Sequence, residues 1–233
     1  MLKLHPEWDE NKRALFSEII YDLIRWWRLL WYILDRDPVP EEKDLEKLIT
    51  IHLFIKKGDL SVLQKKRGLD SNQVIQRIAT TKNQRVLRES IPDWLDKQGE
   101  KELGERWNAT IASLNKYPDL VIRVNTLKTT TKELTVILRK EGIVAEPIDW
   151  NPDALRIIKK TNIFKTSSFR AGLFEVQDTA SQMVSQILNP QAGMRVIDAC
   201  AGEGSKTLHI AALMKNKGKI IALDTQEWRL KNL

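Results

Sequence analysis

The sequence predicts a multidomain chain: an all-α domain over residues 1–116, a small α+β domain over 117–176, and the start of an α/β domain over 177–233. Three observations predict it. Apolar residues in the front half recur at spacings of three and four, the mark of helices. From Leu120 onward, short alternating or apolar segments are separated by Pro, Asn and Ser, as strands are. Near the end, an apolar run, a glycine-bearing loop, a helical stretch and a second apolar run follow one another in the order of a βαβ unit. With 233 residues there is room for more than one core.

In the front half, Leu15, Ile19, Leu23, Trp26, Trp27, Leu30 and Leu34 mark one broad stripe of a helix from about Asn11 to Arg36. Pro38 and Pro40 end it, because proline offers no N–H and keeps its predecessor out of the helical region. A second helix covers Glu41 to Lys56 and breaks at Gly58. Shorter ones follow at Leu60 to Lys66, Ser71 to Thr80 and Asn83 to Ser90. The stretch SIPDWLDKQGEKELG reads as a turn into a further helix that ends before Pro118. Trp26, Trp27 and Trp31 lie on or beside the apolar stripe, so they are expected to pack in a core rather than stack on bases.

Composition narrows the class of protein. At 42% hydrophobic and 30% charged the chain is too apolar for a disordered one. The longest uncharged run among the tryptophans, Leu29 to Leu34, is far short of the ~20 residues of a bilayer span, so no membrane partner is expected. The opening MLKLHPEWDENK lacks the apolar segment of a secretory signal, and a single cysteine forms no internal disulfide; a cytoplasmic location is expected. Of the net charge of +7, an excess of six lies between Ile51 and Ser90, where nine Lys/Arg face three acids. Such a concentration suits a polyanion such as RNA, whose phosphates Lys and Arg neutralise, and it equally suits a solvated helical surface.

Leu120 to Val124 alternates as a strand, Thr131 to Lys140 is a helix capped by Thr130 or Thr131, and Gly142 closes it. IVAEPI, ALRII and GLFEVQ are three further β-type segments, which makes residues 117–176 a small, RRM-like α+β domain. Asp178 to Leu188 reads as a capped helix stopped by Asn189 and Pro190. Buried strands at Arg195 to Asp198 and Lys219 to Leu223 then flank a helix from Ser205 to Met214, the opening of a Rossmann-like domain.

The loop DACAGEGSKT, residues 198–207, carries the candidate chemistry. A phosphate-binding P-loop requires lysine directly after its last glycine, and here Ser205 intervenes. A G-x-G-x-x-G dinucleotide turn is absent. A glycine-bearing turn with an acid, Asp224, at the tip of the next strand suits a smaller adenosine-type ligand such as S-adenosylmethionine, whose ribose hydroxyls the acid accepts. A plain strand-end acid is the other reading of Asp224, and a carboxylate capping the loop amides is one reading of Asp198.

VIDACAGEGSKT resembles the first cofactor motif of the RNA cytosine-C5 methyltransferases, usually DACAAPGGKT, and GLFEVQDTASQM and IRVNTLKTT are similar to two further blocks of the Sun/RsmB-type ribosomal RNA branch. The resemblance covers residues 118–233. The front half matches loosely, through SIPDWL and LG; in the family it is a helical module resembling an antitermination-factor fold. The resemblance implies S-adenosylmethionine as cofactor and RNA, in particular ribosomal RNA, as partner. Asp224 would hold the ribose hydroxyls, while Cys200, Ala201, Gly202, Glu203, Gly204, Ser205 and Lys206 would line the methionine moiety. Lys206, Asp224 and Asp198 match the family pattern; Gly202-Glu203 stands where Ala-Pro is usual, and Ser205 replaces a glycine. Lys56, Lys57, Lys65, Lys66 and Arg67, with Arg123, Lys128 and Lys132, would meet phosphates; Arg123, on a strand, equally suits a solvated edge.

Family chemistry adds a thiolate to C6 of cytosine so that C5 becomes nucleophilic toward the methyl group. Those thiols lie in Pro-Cys and Thr-Cys-Ser motifs on later strands, and neither motif occurs here. Cys200 is therefore expected to be a small packing residue in the turn. No catalytic residue and no metal ligand is assigned, and the chain is expected to be an N-terminal portion, inactive by itself, with strand edges such as KIIAL lacking neighbours. Two rivals remain. One is a non-catalytic RNA-binding or interaction protein with a methyltransferase-like remnant. The other is a methyltransferase of small molecules or proteins, which has no use for a basic helical front.

Overall fold

Where the apolar stripe predicts one helix from Asn11 to Arg36, the computed structural model has two, α1 (Glu10–Arg25) and α2 (Trp27–Leu34). Residues 5–39, 41–159, 161–231 and 233 are described; Pro40, one of the two expected helix-stopping prolines, and the first four residues of the opening segment lie outside them. The break falls at Trp26, which leaves the helical region at φ −97°, ψ 19° while its N–H still reaches the Asp22 carbonyl. It lets α2 turn Leu29, Leu30, Trp31 and Ile33 inward, a wider arc than one straight amphipathic helix buries. Leu15, expected on the stripe, is exposed. Asp22 is buried, and a buried carboxylate needs a partner. His52 supplies it from α3 (Glu42–Lys57), with Nε2 2.9 Å from Asp22 Oδ2.

Helix α3 ends at Gly58 in the left-handed conformation (φ 70°), and α4 (Leu60–Gln64), α5 (Ser71–Thr81) and α6 (Arg85–Arg88) follow. Leu48, Ile51, Leu63 and Val74 from these helices complete the core begun by α2, with Trp26 and Trp27 packed at its edge. The single helix expected before Pro118 is again two, α7 (Asp93–Leu103) and α8 (Arg106–Leu114), parted at Gly104. Trp107 joins Ile91 and Ile111 in a second cluster and donates its indole N–H to Asp96 (2.8 Å). Arg85 grips the same carboxylate at 2.6 Å and holds it below the usual carboxylate range. These helices form one compact unit, Met1–Lys116.

The second unit, Tyr117–Leu233, begins with a four-stranded antiparallel sheet of order β2-β3-β1-β4, built from β1 (Leu120–Val124), β2 (Ala145–Ile148), β3 (Asn151–Ile157) and β4 (Phe174–Val176). Helix α9 (Thr131–Lys140) links β1 to β2, and α10 (Ser167–Arg170) precedes β4; this is the βαββαβ order of a ferredoxin-like fold. Thr130 and Glu133 cap α9 reciprocally, as a capping box. Register places Ile122 opposite Leu155 and Val124 opposite Phe174, so these residues share a face and bury it against Leu134 and Leu138 of α9.

The opposite face is buried as well. Arg123, opposite Ala154 and Glu175, lies under a polar layer shared with α11 (Thr179–Leu188) and α12 (Ser205–Leu213). Arg123 Nε donates to Gln177 Oε1 (2.8 Å), the Gln182 amide to the Gln177 carbonyl (2.9 Å), Asn151 to Gln182 Oε1 (3.0 Å) and Gln186 to Asn151 Oδ1 (2.8 Å). His209 of α12 is buried beside this layer. Burial, and then the charge of Arg123, push its imidazole down to about 4.

β5 (Arg195–Asp198) and β6 (Lys219–Ala222) pair in parallel across α12, and α13 (Glu227–Leu230) follows. The sequence suggests buried strands; instead Ile197 is 64% and Ile221 36% exposed. A two-stranded sheet crossed by one helix covers only the face of Val196 and Ile220. Among the described residues, no helix is long and apolar enough to cross a membrane.

Two outcomes follow from this packing. Gly99 of α7 is buried, and a Cβ there would lie 2.3 Å from the Trp107 ring, which Asp96 holds in place. Alanine in a helix interior gains about 1 kcal/mol over glycine, but overpacking outweighs it. Gly99→Ala is expected to destabilise the helical unit by roughly 1–3 kcal/mol, read as a lower urea midpoint; a raised midpoint would show the indole free to move. For His209, the unfolded chain takes up a proton near pH 6.5 and the folded one only near 4, so the unfolded state binds more protons between them. The penalty is absent above that window and grows as pH falls through it, to about 3 kcal/mol. Stability measured from pH 7 to 4 should fall less steeply in His209→Leu than in the parent; equal slopes contradict the assignment.

Candidate cofactor site

Because β5 and β6 are parallel, their C-terminal ends lie side by side, with Asp198 opposite Ala222. The chain leaves β5 into a loop at 199–204 that is tied to the end of β6 by main-chain bonds: Leu223 N–H to the Asp198 carbonyl (2.8 Å) and Ala201 N–H to the Leu223 carbonyl (2.9 Å). Asp224 completes the tie. Its Oδ2 accepts the Gly202 N–H and its Oδ1 the Gln226 N–H, each at 2.9 Å. These amides, Gln226 foremost, hold the carboxyl below its ordinary value, so it is an ionised acceptor at neutral pH. Each oxygen keeps a lone pair for a further donor.

Gly202 (φ 56°) and Gly204 (φ 88°) both adopt the left-handed conformation that suits glycine. Gly204 caps α12 with no side-chain hydrogen bond, leaving the helix's leading amides directed toward the loop. Asp198 braces the turn from within, accepting the Thr207 hydroxyl at 2.7 Å and the Cys200 N–H at 3.4 Å. Ala201 is buried, Ser205 and Lys206 are half-buried, and Glu203 is exposed. Cys200 is exposed too, which corrects its reading as a packing residue. Against the upward push of burial, the Ser181 amide and hydroxyl hold Asp178 low, with help from the charge of Lys206. An ionised acceptor beside helix amides that no side chain caps suits a ligand bearing both vicinal hydroxyls and a carboxylate.

The expected phosphate-binding residues are dispersed. Lys57, Lys65 and Arg67 are exposed around the end of α3 and α4. Lys56 sits 2.5 Å from Glu18 and 3.4 Å from Asp22, and Lys66 pairs with Glu46. Arg77 pairs with Asp35, Arg85 with Asp96 and Glu100, and Arg88 with Glu89, so much of the basic excess is answered within the helical unit. Lys128 and Lys132 are exposed, and Lys128 donates to the Ala171 carbonyl at 2.8 Å. Arg123 is neither a surface cation nor a solvated edge. At 2% exposed it lies beneath α11 and α12, because its face of the sheet is covered.

Residues 91–164 match the family model described as the ferredoxin-like domain of RsmF/B-like methyltransferases, and residues 185–233 match that of the 16S rRNA methyltransferases RsmB/F. Over its whole length the chain is 30% identical to the probable ribosomal RNA small subunit methyltransferase B of Synechocystis sp., of which it spans 59%. Over 61% of its length it is 36% identical to the Bacillus subtilis protein of the same name, of which it spans 32%. Among solved structures, PH0851 superposes with a TM-score of 0.69 at 25% identity, covering 99% of this chain and 59% of that one. A methyltransferase homologue from Pyrococcus horikoshii gives 0.58 at 30% identity, covering 63% of this chain and 48% of that one. NSun6 from Pyrococcus horikoshii, solved with SFG, shares the fold, with a TM-score of 0.55 at 20% identity over 60% of each chain. Over the part of their length that it spans, the chain belongs to the Sun-type RsmB/F methyltransferases.

Proposed function

We propose that these 233 residues are the RNA-gripping and cofactor-loop portion of an S-adenosylmethionine-dependent ribosomal RNA cytosine-C5 methyltransferase. One observation carries the reading: the ionised Asp224 carboxylate, bonded to Gly202 N–H, sits where two parallel strands end together. The residues present fit the cofactor. Asp224 has a free lone pair on each oxygen for the ribose hydroxyls, the uncapped amides at the head of α12 suit the methionine carboxylate, and exposed Glu203 suits a sulfonium. S-adenosylmethionine supplies a methyl group on that sulfonium. The choice of ribosomal RNA and of cytosine C5 rests on the names of the relatives and on the DACAGEGSKT motif.

On this reading residues 1–116 are an RNA-binding helical domain, 117–176 the small sheet domain, and 177–233 the start of the methyltransferase domain. Lys57, Lys65, Arg67, Lys128 and Lys132 meet phosphates. Cys200 is the one cysteine, and its place in the cofactor loop gives it no role as nucleophile, so these residues alone do not transfer methyl groups.

Isothermal titration with S-adenosylmethionine is expected to give saturable heat, weakened about tenfold or more in Asp224→Ala, which loses a doubly bonded charged acceptor, and changed less than about threefold in Cys200→Ser. No heat from the parent chain would favour a scaffold that has lost its cofactor. RNA affinity is expected to fall steeply with salt. Replacing Lys57, Lys65 and Arg67 together by Gln should lower the slope of log K against log salt by about 0.7–0.9 for each phosphate no longer neutralised; an unchanged slope removes these residues from the interface.

A further inference from the structure

We propose that Arg123 is a positioning residue for the cofactor loop: rooted in the ferredoxin-like sheet, its guanidinium holds the Ser205 carbonyl at the head of α12. The inference rests on the cofactor site proposed above and adds to it a part that the motif does not contain. Arg123 Nη2 lies 3.4 Å from the Ser205 oxygen while Nε is fixed 2.8 Å from Gln177 Oε1. Gln177 is itself held at both ends of its main chain, by its N–H on the Val121 carbonyl (3.2 Å) and by its carbonyl on Gln182 (2.9 Å). The planar fork of arginine therefore has one prong anchored in the sheet and the other on the loop side. No described carboxylate forms an ion pair with it, and Glu175 and Asp153 act on it only at longer range. A buried cation in that position is a poor packing element. What it does is span two segments 82 residues apart.

The consequence for the site follows from peptide geometry. In a planar trans peptide the C=O and the next N–H point in opposite directions. Fixing the Ser205 carbonyl fixes the Lys206 N–H at the other end of the same peptide. That amide is one of the leading amides of α12, which face the loop where the methionine carboxylate would sit. Arg123 thus acts on the ligand's carboxylate through a backbone group and leaves the ribose to Asp224. Neutral His209, buried beside Arg123, adds no second charge to the layer.

The test separates the two halves of the ligand. S-adenosylmethionine and methylthioadenosine, which lacks the amino-acid carboxylate, are titrated into the parent chain, Arg123→Gln, Arg123→Lys and Asp224→Ala. Arg123→Gln is expected to weaken S-adenosylmethionine about tenfold and methylthioadenosine less than about twofold, with Arg123→Lys recovering part of the loss; Asp224→Ala weakens both. An equal loss for both ligands in Arg123→Gln, matched by faster amide exchange throughout the second unit, would reduce Arg123 to a general packing role. Unchanged cofactor binding with weaker, less salt-dependent RNA binding would return it to the phosphate interface, and also overturns the proposal. If the parent binds neither ligand, the cofactor reading fails. The positioning role is then read from hydrogen exchange alone, where Arg123→Gln should speed exchange at 205–208 selectively and the absence of that change refutes it.

Discussion

A carboxylate at the end of one parallel strand, bonded to an amide in the loop that leaves its neighbour, is the interaction on which the α/β portion depends. Asp224 does in one side chain what the main-chain bonds do around it: it fixes the turn at 199–204 to β6. The strands supply little burial of their own, with Ile197 and Ile221 facing outward. Directed bonds at their ends therefore matter more than the apolar term that usually dominates sheet cohesion. The same bonds lower the carboxyl's pKa and fix the direction of both its oxygens, so the geometry that closes the loop also orients the acceptor.

The polar layer over the ferredoxin-like sheet alters what that sheet can do. In RNA-recognition motifs the sheet face away from the helices is the platform on which bases stack. Here that face holds Arg123, Asn151 and Gln177, all buried against α11 and α12. Burying polar groups costs stability unless they are bonded, and a connected amide chain meets that condition at most positions. Such a layer favours one relative placement of sheet and helices, since its bonds are satisfied in one register only. On the proposed reading, RNA binding by this unit falls to its margins, where Lys128 and Lys132 are exposed.

Local signals are legible in the sequence and distant ones are not. The cap at Thr130, one of the two threonines the sequence offers, the stop at Gly58, the cap at Asp178 and the βαβ order of residues 195–222 each depend on neighbours within a few positions, and all are where the pattern puts them. The break at Trp26 is hidden because apolar spacing continues through it; what sets it apart is the wider arc α2 buries and the pairing of Asp22 with His52, thirty positions away. Charge is the most misleading guide. A count of Lys and Arg between 51 and 90 cannot show that Arg77, Arg85 and Arg88 already have carboxylate partners. Arg123 is ambiguous for a related reason: alternation gives a strand residue its face, but not whether that face is covered.

The departures from the usual motif become intelligible through the backbone. An alanine at position 202 would be strained at φ 56°, and a proline at 203 would stiffen the turn through its own fixed φ. This chain has glycine and glutamate there, which relieves the strain but enlarges the set of unfolded conformations the loop must give up. Order has to come from elsewhere, and the bonds of Asp224 to Gly202 and of Asp198 to Thr207 and Cys200 provide it. Loop shape and ligand recognition are then no longer separable at Asp224, because the carboxylate that would receive the ribose also keeps the loop closed around it. A loop ordered by its anchors rather than by residue stiffness makes its supports, Arg123 among them, part of the site.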